Sequence, residues 1–239
     1  MLISLKDNFV FFCTPKCASN SVEAMLKPHT QIHLLGTPAV RHINVRDFNS
    51  LLEPFLKSVA PEQRFERVAI IREPISWLYS WYRFRSRSAL REAQSANSTA
   101  HITFAEFVDA FLSEDQPEFA RLDSQLRFLT DESGSPGVDY LFAFEKLDEL
   151  TVFFSKRIGK TLSLSANNVS PSKVYKSNLT ERLASLKRGI QARMGVDSRP
   201  QKSVKDPRGE LSSDQVAQIE KHFSEEMSLY QKALNSPML

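Results

Sequence analysis

Two short apolar runs, each ended by a proline-containing loop and followed by a helix-forming segment, constrain the fold more than any other feature of this chain. Phe9-Val10-Phe11-Phe12-Cys13 is wholly apolar and stops at Thr14-Pro15, and Val68-Ala69-Ile70-Ile71 is apolar and breaks at Arg72-Glu73-Pro74. A run without polar alternation reads as a strand buried on both faces, as in a parallel sheet covered by helices. Helices are expected from about Asn20 to Leu26 and from Pro74 through Phe84. Two strand-loop-helix units imply an α/β fold, with a central, mostly parallel sheet flanked by helices. A third strand is expected at Tyr140-Leu141-Phe142-Ala143-Phe144, then a helix to about Ile158 that stops at Gly159.

Helical periodicity accounts for much of the remainder. Thr103 and Glu106 form a capping box ahead of Phe104, Phe107, Val108, Phe111 and Leu112, which share one face. Phe119, Leu122, Leu126 and Leu129 repeat that pattern. Val216, Ile219, Phe223, Met227, Tyr230 and Leu234, behind Ser212 and Ser213, predict one amphipathic C-terminal helix. Periodicity fades between roughly 160 and 210, where a basic, irregular segment with a helix near 178–194 is expected. No internal repeat divides the chain, and residues 1–239 read as a single domain.

Composition narrows the function. Hydrophobic residues are 41% of the chain and Phe occurs 17 times, enough for a sizeable core. Gly36 is the only glycine before residue 134, so neither G-x-x-x-x-G-K-[ST] nor G-x-G-x-x-G can be written there. The net charge of +3 is too small to argue by itself for a nucleic-acid binder. Residues 173–208, with ten Lys or Arg against three Asp or Glu, carry a local +7 that suits polyanions. Cys13 and Cys17 are too close for a disulfide framework and lack nearby partners for zinc, which fits a reducing compartment. Without a signal-like N-terminus or a long apolar run, a soluble, cytoplasmic protein is expected.

The loop Pro15-Lys16-Cys17-Ala18-Ser19-Asn20-Ser21 leads into a helix N-terminus. Unpaired amides there, with the positive end of the helix dipole and the Lys16 ammonium, suit an anionic group such as phosphate. An ordinary capped turn with Lys16 in solvent accounts for the same residues. A cysteine-phosphatase loop would need an Arg soon after the Cys, and none occurs before Arg41. Arg72 leaves the second strand, with Ser80 eight residues on. In a doubly wound sheet such loops share one crevice, so Arg72 and Lys16 can converge on one ligand. Pairing of Arg72 with a carboxylate is the plainer alternative.

Together these residues resemble a family. The first loop is similar to the 5′-phosphosulfate loop of sulfotransferases. Val68 to Pro74 with Ser80-Trp81-Tyr82 is similar to their 3′-phosphate motif. The nearest likeness is to carbohydrate sulfotransferases, a group including heparan-sulfate 2-O-sulfotransferase and bacterial relatives. It extends through Arg41-His42-Ile43, Thr103 to Phe107, Gln125 and Phe142 to Leu147, covering roughly residues 8–170 plus the terminal helix. Cys17 and Asn20 stand where Thr is common, Glu73 replaces Asp or Asn, and Trp77 occupies a place often held by Arg.

The resemblance implies a P-loop-NTPase-like sulfotransferase fold and 3′-phosphoadenosine 5′-phosphosulfate (PAPS) as donor, released as adenosine 3′,5′-bisphosphate. Lys16, Cys17, Ala18, Ser19, Asn20 and Ser21 would hold the 5′-phosphosulfate, and Arg72 and Ser80 the 3′-phosphate. Sulfuryl transfer to an acceptor hydroxyl needs a base for the proton and positive charge at the leaving phosphate oxygen. Lys16 suits the second role and His42 the first, with His33, Glu23 and Glu73 as alternatives. No metal is required, and the spacing of His29, His33 and His42 matches no common ligand pattern.

The acceptor is expected to be a carbohydrate. Arg83, Arg87 and Arg91, four residues apart, would line one helix face and meet an anionic acceptor, or lie solvated beside Glu92. Trp77, Trp81 and Tyr82 read mainly as core rather than sugar platforms. Two other functions suit the same residues: a P-loop-like small-molecule kinase, and a non-catalytic protein binding a nucleotide or polyanion.

Overall fold

Strands β1 (Leu2–Ser4), β2 (Phe9–Phe11), β3 (Ile32–His33), β4 (Glu66–Ile71) and β5 (Tyr140–Ala143) form one sheet in the order β3-β1-β2-β4-β5. This computed structural model describes residues 1–164 and 206–239. The three expected strands, β2, β4 and β5, are neighbours and parallel, with Phe11 opposite Val68 and Val68 opposite Tyr140. Their C-terminal ends therefore share one sheet edge. β1 and β3 extend the sheet antiparallel, making it mixed. At three and two residues they are too short to carry a legible period.

Alternation along the strands explains the apolar runs. Phe9 and Phe11 enter one core with Val68, Ile70 and Phe142, whereas Val10 and Phe12 enter a second with Ala69, Ile71 and Leu141. Both faces of the sheet are covered, so no position alternates to polar. Helices α1 (Ser19–Leu26), α2 (Pro74–Arg85), α3 (Phe104–Leu112) and α5 (Leu147–Ile158) contribute to the first core. The capping box of Thr103 and Glu106 opens α3, and Gly159 closes α5 at φ 72°, a left-handed conformation that glycine adopts without a Cβ clash.

Two expected helices are divided. Phe119 lies in a short turn at Glu118–Ala120, and Leu126 and Leu129 lie in a separate helix, α4 (Gln125–Leu129), capped by the Ser124 side chain. The C-terminal repeat is split into α6 (Ser213–His222) and α7 (Ser224–Asn235). Phe223 lies between them, outside helical geometry. Ile219 and Phe223 fill the first core, while Leu229, Tyr230 and Ala233 fill the second, so the chain breaks where it passes from one face of the sheet to the other. The helix expected near 178–194, and nearly all of the basic segment, lie outside the described residues. Among the described residues, no helix is long and apolar enough to cross a membrane.

Candidate active site

β2 delivers the chain into a tight loop that its own residues close. Ser19 Oγ donates to the Thr14 carbonyl at 2.7 Å, and Trp77 Nε1 on α2 donates to the Pro15 carbonyl at 3.1 Å. Lys16 and Ala18 have φ of 64° and 57°, left-handed values that turn the backbone sharply before α1. The Ser19 and Asn20 amides, first in α1, have no intrahelical acceptors and open from this turn.

Arg72 follows the last residue of β4, and its Nη1 lies 3.4 Å from the Lys16 carbonyl oxygen. The loops after β2 and β4 therefore touch through this contact. The Arg72 guanidinium sits 4.3 Å from the Phe144 ring centroid, and its buried Nε has no partner. Burial depresses the Arg72 pKa, yet a guanidinium remains protonated at any ordinary pH. Two further buried polar atoms of these segments, Thr14 Oγ1 and Trp81 Nε1, also lack partners. Among the described residues, no carboxylate forms an ion pair with Lys16, Arg72, Arg83 or Arg87. Such a cluster of cations without direct ion pairs and of orphaned donors fits a polyanionic ligand.

The Lys16 ammonium rests 4.1 Å from the Phe84 centroid and 5.5 Å from that of Trp81. Burial first, then the charges of Arg87 and Arg72, lower its pKa to about 8. It is cationic at neutral pH, held over ring faces rather than by an acid.

His42 caps the short helix Pro38–Arg41, and its Nδ1 lies 2.5 Å from the Cys13 carbonyl oxygen at the start of the loop. A carbonyl only accepts, so Nδ1 carries the proton and the neutral ring keeps its Nε2 lone pair. Burial lowers the His42 pKa, which favours that neutral form. Arg41, one residue earlier, clamps the segment to α1 through Glu23 at 2.7 and 2.8 Å and through Asn20 Oδ1. The alternatives to His42 are engaged. Glu23 pairs with Arg41, His33 Nε2 lies 2.8 Å from the Thr30 carbonyl oxygen, and Glu73 caps α2 through the Ile75 and Ser76 amides while pairing with Arg208.

Some expected contacts are corrected. Cys17 is 1% exposed, with Sγ 3.3 Å from Gln125 Oε1, and its amide lies 3.4 Å from the Thr14 carbonyl oxygen. Burial pushes its thiol upward, so the side chain belongs to the core and cannot act as a thiolate. Ser21 is buried and its amide is taken by the Ala18 carbonyl. The Ser19 hydroxyl proton is spent on Thr14, leaving the Ser19 amide toward the loop. Asn20 keeps its side-chain amine beyond the Arg41 contact. Ser80 is half-buried on α2, without a hydroxyl partner among the described residues. The expected arginine face is interrupted, because α2 ends at Arg85 and Arg87 caps a second short helix, Ser88–Glu92, that carries Arg91. Arg87 stays near Lys16, 4.8 Å from the centroid of the same Phe84 ring. Trp77 is core, packed edge-on against Trp81 and Phe223.

Gln125 and Glu226, to which sequence reasoning assigned no role, are both buried here. Gln125 lay within the family likeness, whereas nothing in the periodicity around Glu226 marks an inward carboxylate. Among the described residues, no group of three or more His, Cys, Asp or Glu could hold a metal ion.

The fold is a mixed α/β sheet in which the loops carrying Lys16 and Arg72 meet beyond the C-terminal ends of β2 and β4. The sequence matches the family model described as the Sulfotransferase family over residues 1–233, and the chain belongs to that family of sulfuryl-transferring enzymes. No curated protein and no solved structure gives a significant match.

Proposed function

We propose that this chain moves the sulfuryl group of PAPS to a hydroxyl of a carbohydrate. The observation that carries the reading is the contact of the Arg72 guanidinium with the Lys16 backbone, which brings a half-buried cation from the end of β4 beside the loop after β2. PAPS, when bound, supplies an activated sulfuryl group and an adenosine bisphosphate leaving group.

Lys16 and the amides of Ala18, Ser19 and Asn20 take the 5′ side of the donor, and Arg72 with Ser80 takes the 3′-phosphate. His42 Nε2 accepts the proton of the acceptor hydroxyl as its oxygen bonds to sulfur. The bond from sulfur to the phosphate oxygen breaks in the same displacement, and Lys16 stabilises the charge left on that oxygen. The tether to Cys13 keeps the base at the mouth of the loop. A glycan acceptor is supported by the family likeness and by partly exposed Phe84, with Arg87 over its ring and Arg83 exposed beside it in sequence.

Calorimetry with adenosine 3′,5′-bisphosphate in EDTA, against ATP with Mg²⁺, tests the donor. Tight metal-independent binding is expected, and preference for ATP with Mg²⁺ would replace this reading with a kinase. Transfer of labelled sulfate from PAPS to a panel of glycans, lipids and small alcohols tests the acceptor, and nucleotide binding without any transfer would leave a binding protein.

A further inference from the structure

The two anion loops are joined by one neutral side chain. Gln125 is 1% exposed, at the start of α4. Its Oε1 accepts from the Arg72 amide at 2.9 Å, and its Nε2 donates to the Arg72 carbonyl at 2.8 Å. The register of β4 with β5 ends at Ile71 opposite Ala143, so the next residue has no strand to pair with. The Gln125 amide takes the place of that strand, presenting one acceptor and one donor to a single peptide residue. The same Oε1 lies 3.3 Å from Cys17 Sγ in the other loop.

A second residue fixes which way the amide faces. Glu226, 3% exposed on α7, accepts from the Gln125 backbone amide at 3.0 Å and from Nε2 at 3.3 Å. Were the amide flipped, an oxygen would face both the Glu226 carboxylate and the Arg72 carbonyl, and an NH₂ would face the Arg72 N–H. One orientation satisfies every group in this buried cluster, and a buried network of this kind is rigid because each lost partner strands another.

We infer that Gln125 is a positioning residue for the donor site: held by Glu226, it fixes the Arg72 backbone against the Cys17 turn and so sets the spacing of the two anion-binding loops. Its effect on nucleotide binding passes through the Arg72 side chain. This inference rests on the donor reading proposed above, but its backbone part can be measured without any ligand.

The test uses Gln125→Met, which keeps length and loses both polar contacts, and the milder Gln125→Asn, which keeps an amide one methylene short of Arg72. Amide hydrogen exchange at Arg72 in the full chain should quicken by about tenfold in either variant while the melting transition stays cooperative. Adenosine 3′,5′-bisphosphate should bind about tenfold more weakly in an otherwise wild-type chain, but by less than about twofold when Arg72→Ala is already present. Unchanged Arg72 exchange in a folded variant would overturn the inference. Equal losses of affinity with and without the Arg72 side chain would do the same, since that pattern marks general destabilisation. Should Gln125→Met fail to fold, Gln125→Asn decides. If the wild-type chain does not bind the nucleotide, the donor reading falls, and the exchange measurement still decides whether Gln125 fixes the Arg72 backbone.

Discussion

The imidazole Nδ1 of His42 sits 2.5 Å from the carbonyl oxygen of Cys13, tying a ring in the connection from β3 to β4 to the residue where the first loop begins. That bond sets the tautomer and leaves Nε2 as the basic atom. His42→Gln should retain adenosine 3′,5′-bisphosphate affinity and lower kcat by about 10²–10⁴-fold, the range for loss of a general base. Single-turnover transfer together with calorimetry separates these quantities. A variant with normal kcat would move the base elsewhere, and one that loses nucleotide affinity would make His42 a structural prop.

Lys16 and His42 together fix the shape of the pH profile. The kcat/KM of the free enzyme should rise as His42 loses its proton, at a pH below the ordinary histidine value because burial lowers its pKa. It should fall as Lys16 loses its proton near pH 8. Arg87 is the largest of the charges that depress Lys16, so Arg87→Ala should carry the alkaline limb upward. Lys16→Ala should abolish that limb along with most of the rate. An alkaline limb that ignores both substitutions would mean that the ammonium is not the titrating group.

How much of this was legible follows from the kind of signal each part leaves. β2 and β4 are buried on both faces, so their sequences are unbroken apolar runs, and the Thr103 box leaves a fixed four-residue pattern. The loops after them could be placed, and Lys16 and Arg72 named, because cations just beyond such runs are conspicuous. The break at Phe223 was hidden, since a helix that changes face keeps its apolar period across the turn. The end of α2 at Arg85 lies one residue past the expected Phe84, but the face drawn through Arg83, Arg87 and Arg91 required the helix to run on, and no Gly or Pro at Ser86 marks the break. Gln125 and Glu226 illustrate the harder limit. A buried amide and its carboxylate partner are separated by about 100 residues of chain, and only the packed fold shows that either faces inward.

Glu226 gives the clearest link between pH and stability. Burial raises its pKa from 4.5 to about 7, against the opposing pull of the Gln125 and Leu126 donors. The folded protein therefore holds a proton that the unfolded chain releases between those values. The stability this contributes is complete below about pH 4.5 and is lost as pH rises through about 7. Its size is on the order of 3 kcal/mol. Glu226→Gln keeps an acceptor for Gln125 and has no charge to bury. Urea unfolding at pH 5 and pH 8 should show the variant gaining on the wild type as pH rises. A difference that stays constant across that interval would mean that Glu226 is ionised throughout.

Ala18 concerns the loop backbone, where the scarcity of glycine has a structural cost. At φ 57° it holds a left-handed conformation that places Cβ close to the following carbonyl, at roughly 1–2 kcal/mol for an L-residue. Ala18→Gly relieves the clash but gives the unfolded chain more freedom, worth about 0.4–1 kcal/mol in the opposite sense. The net expectation is a gain of a few tenths to about 1 kcal/mol, or a rise in Tm of up to roughly 2–4 °C. Ala18→Val places a β-branched side chain where that conformation is a true outlier. It should lower Tm and weaken adenosine 3′,5′-bisphosphate binding together, because the turn must unwind and carry the Ser19 and Asn20 amides with it. A valine variant as stable and as tight-binding as the wild type would show that the left-handed turn is not what presents those amides.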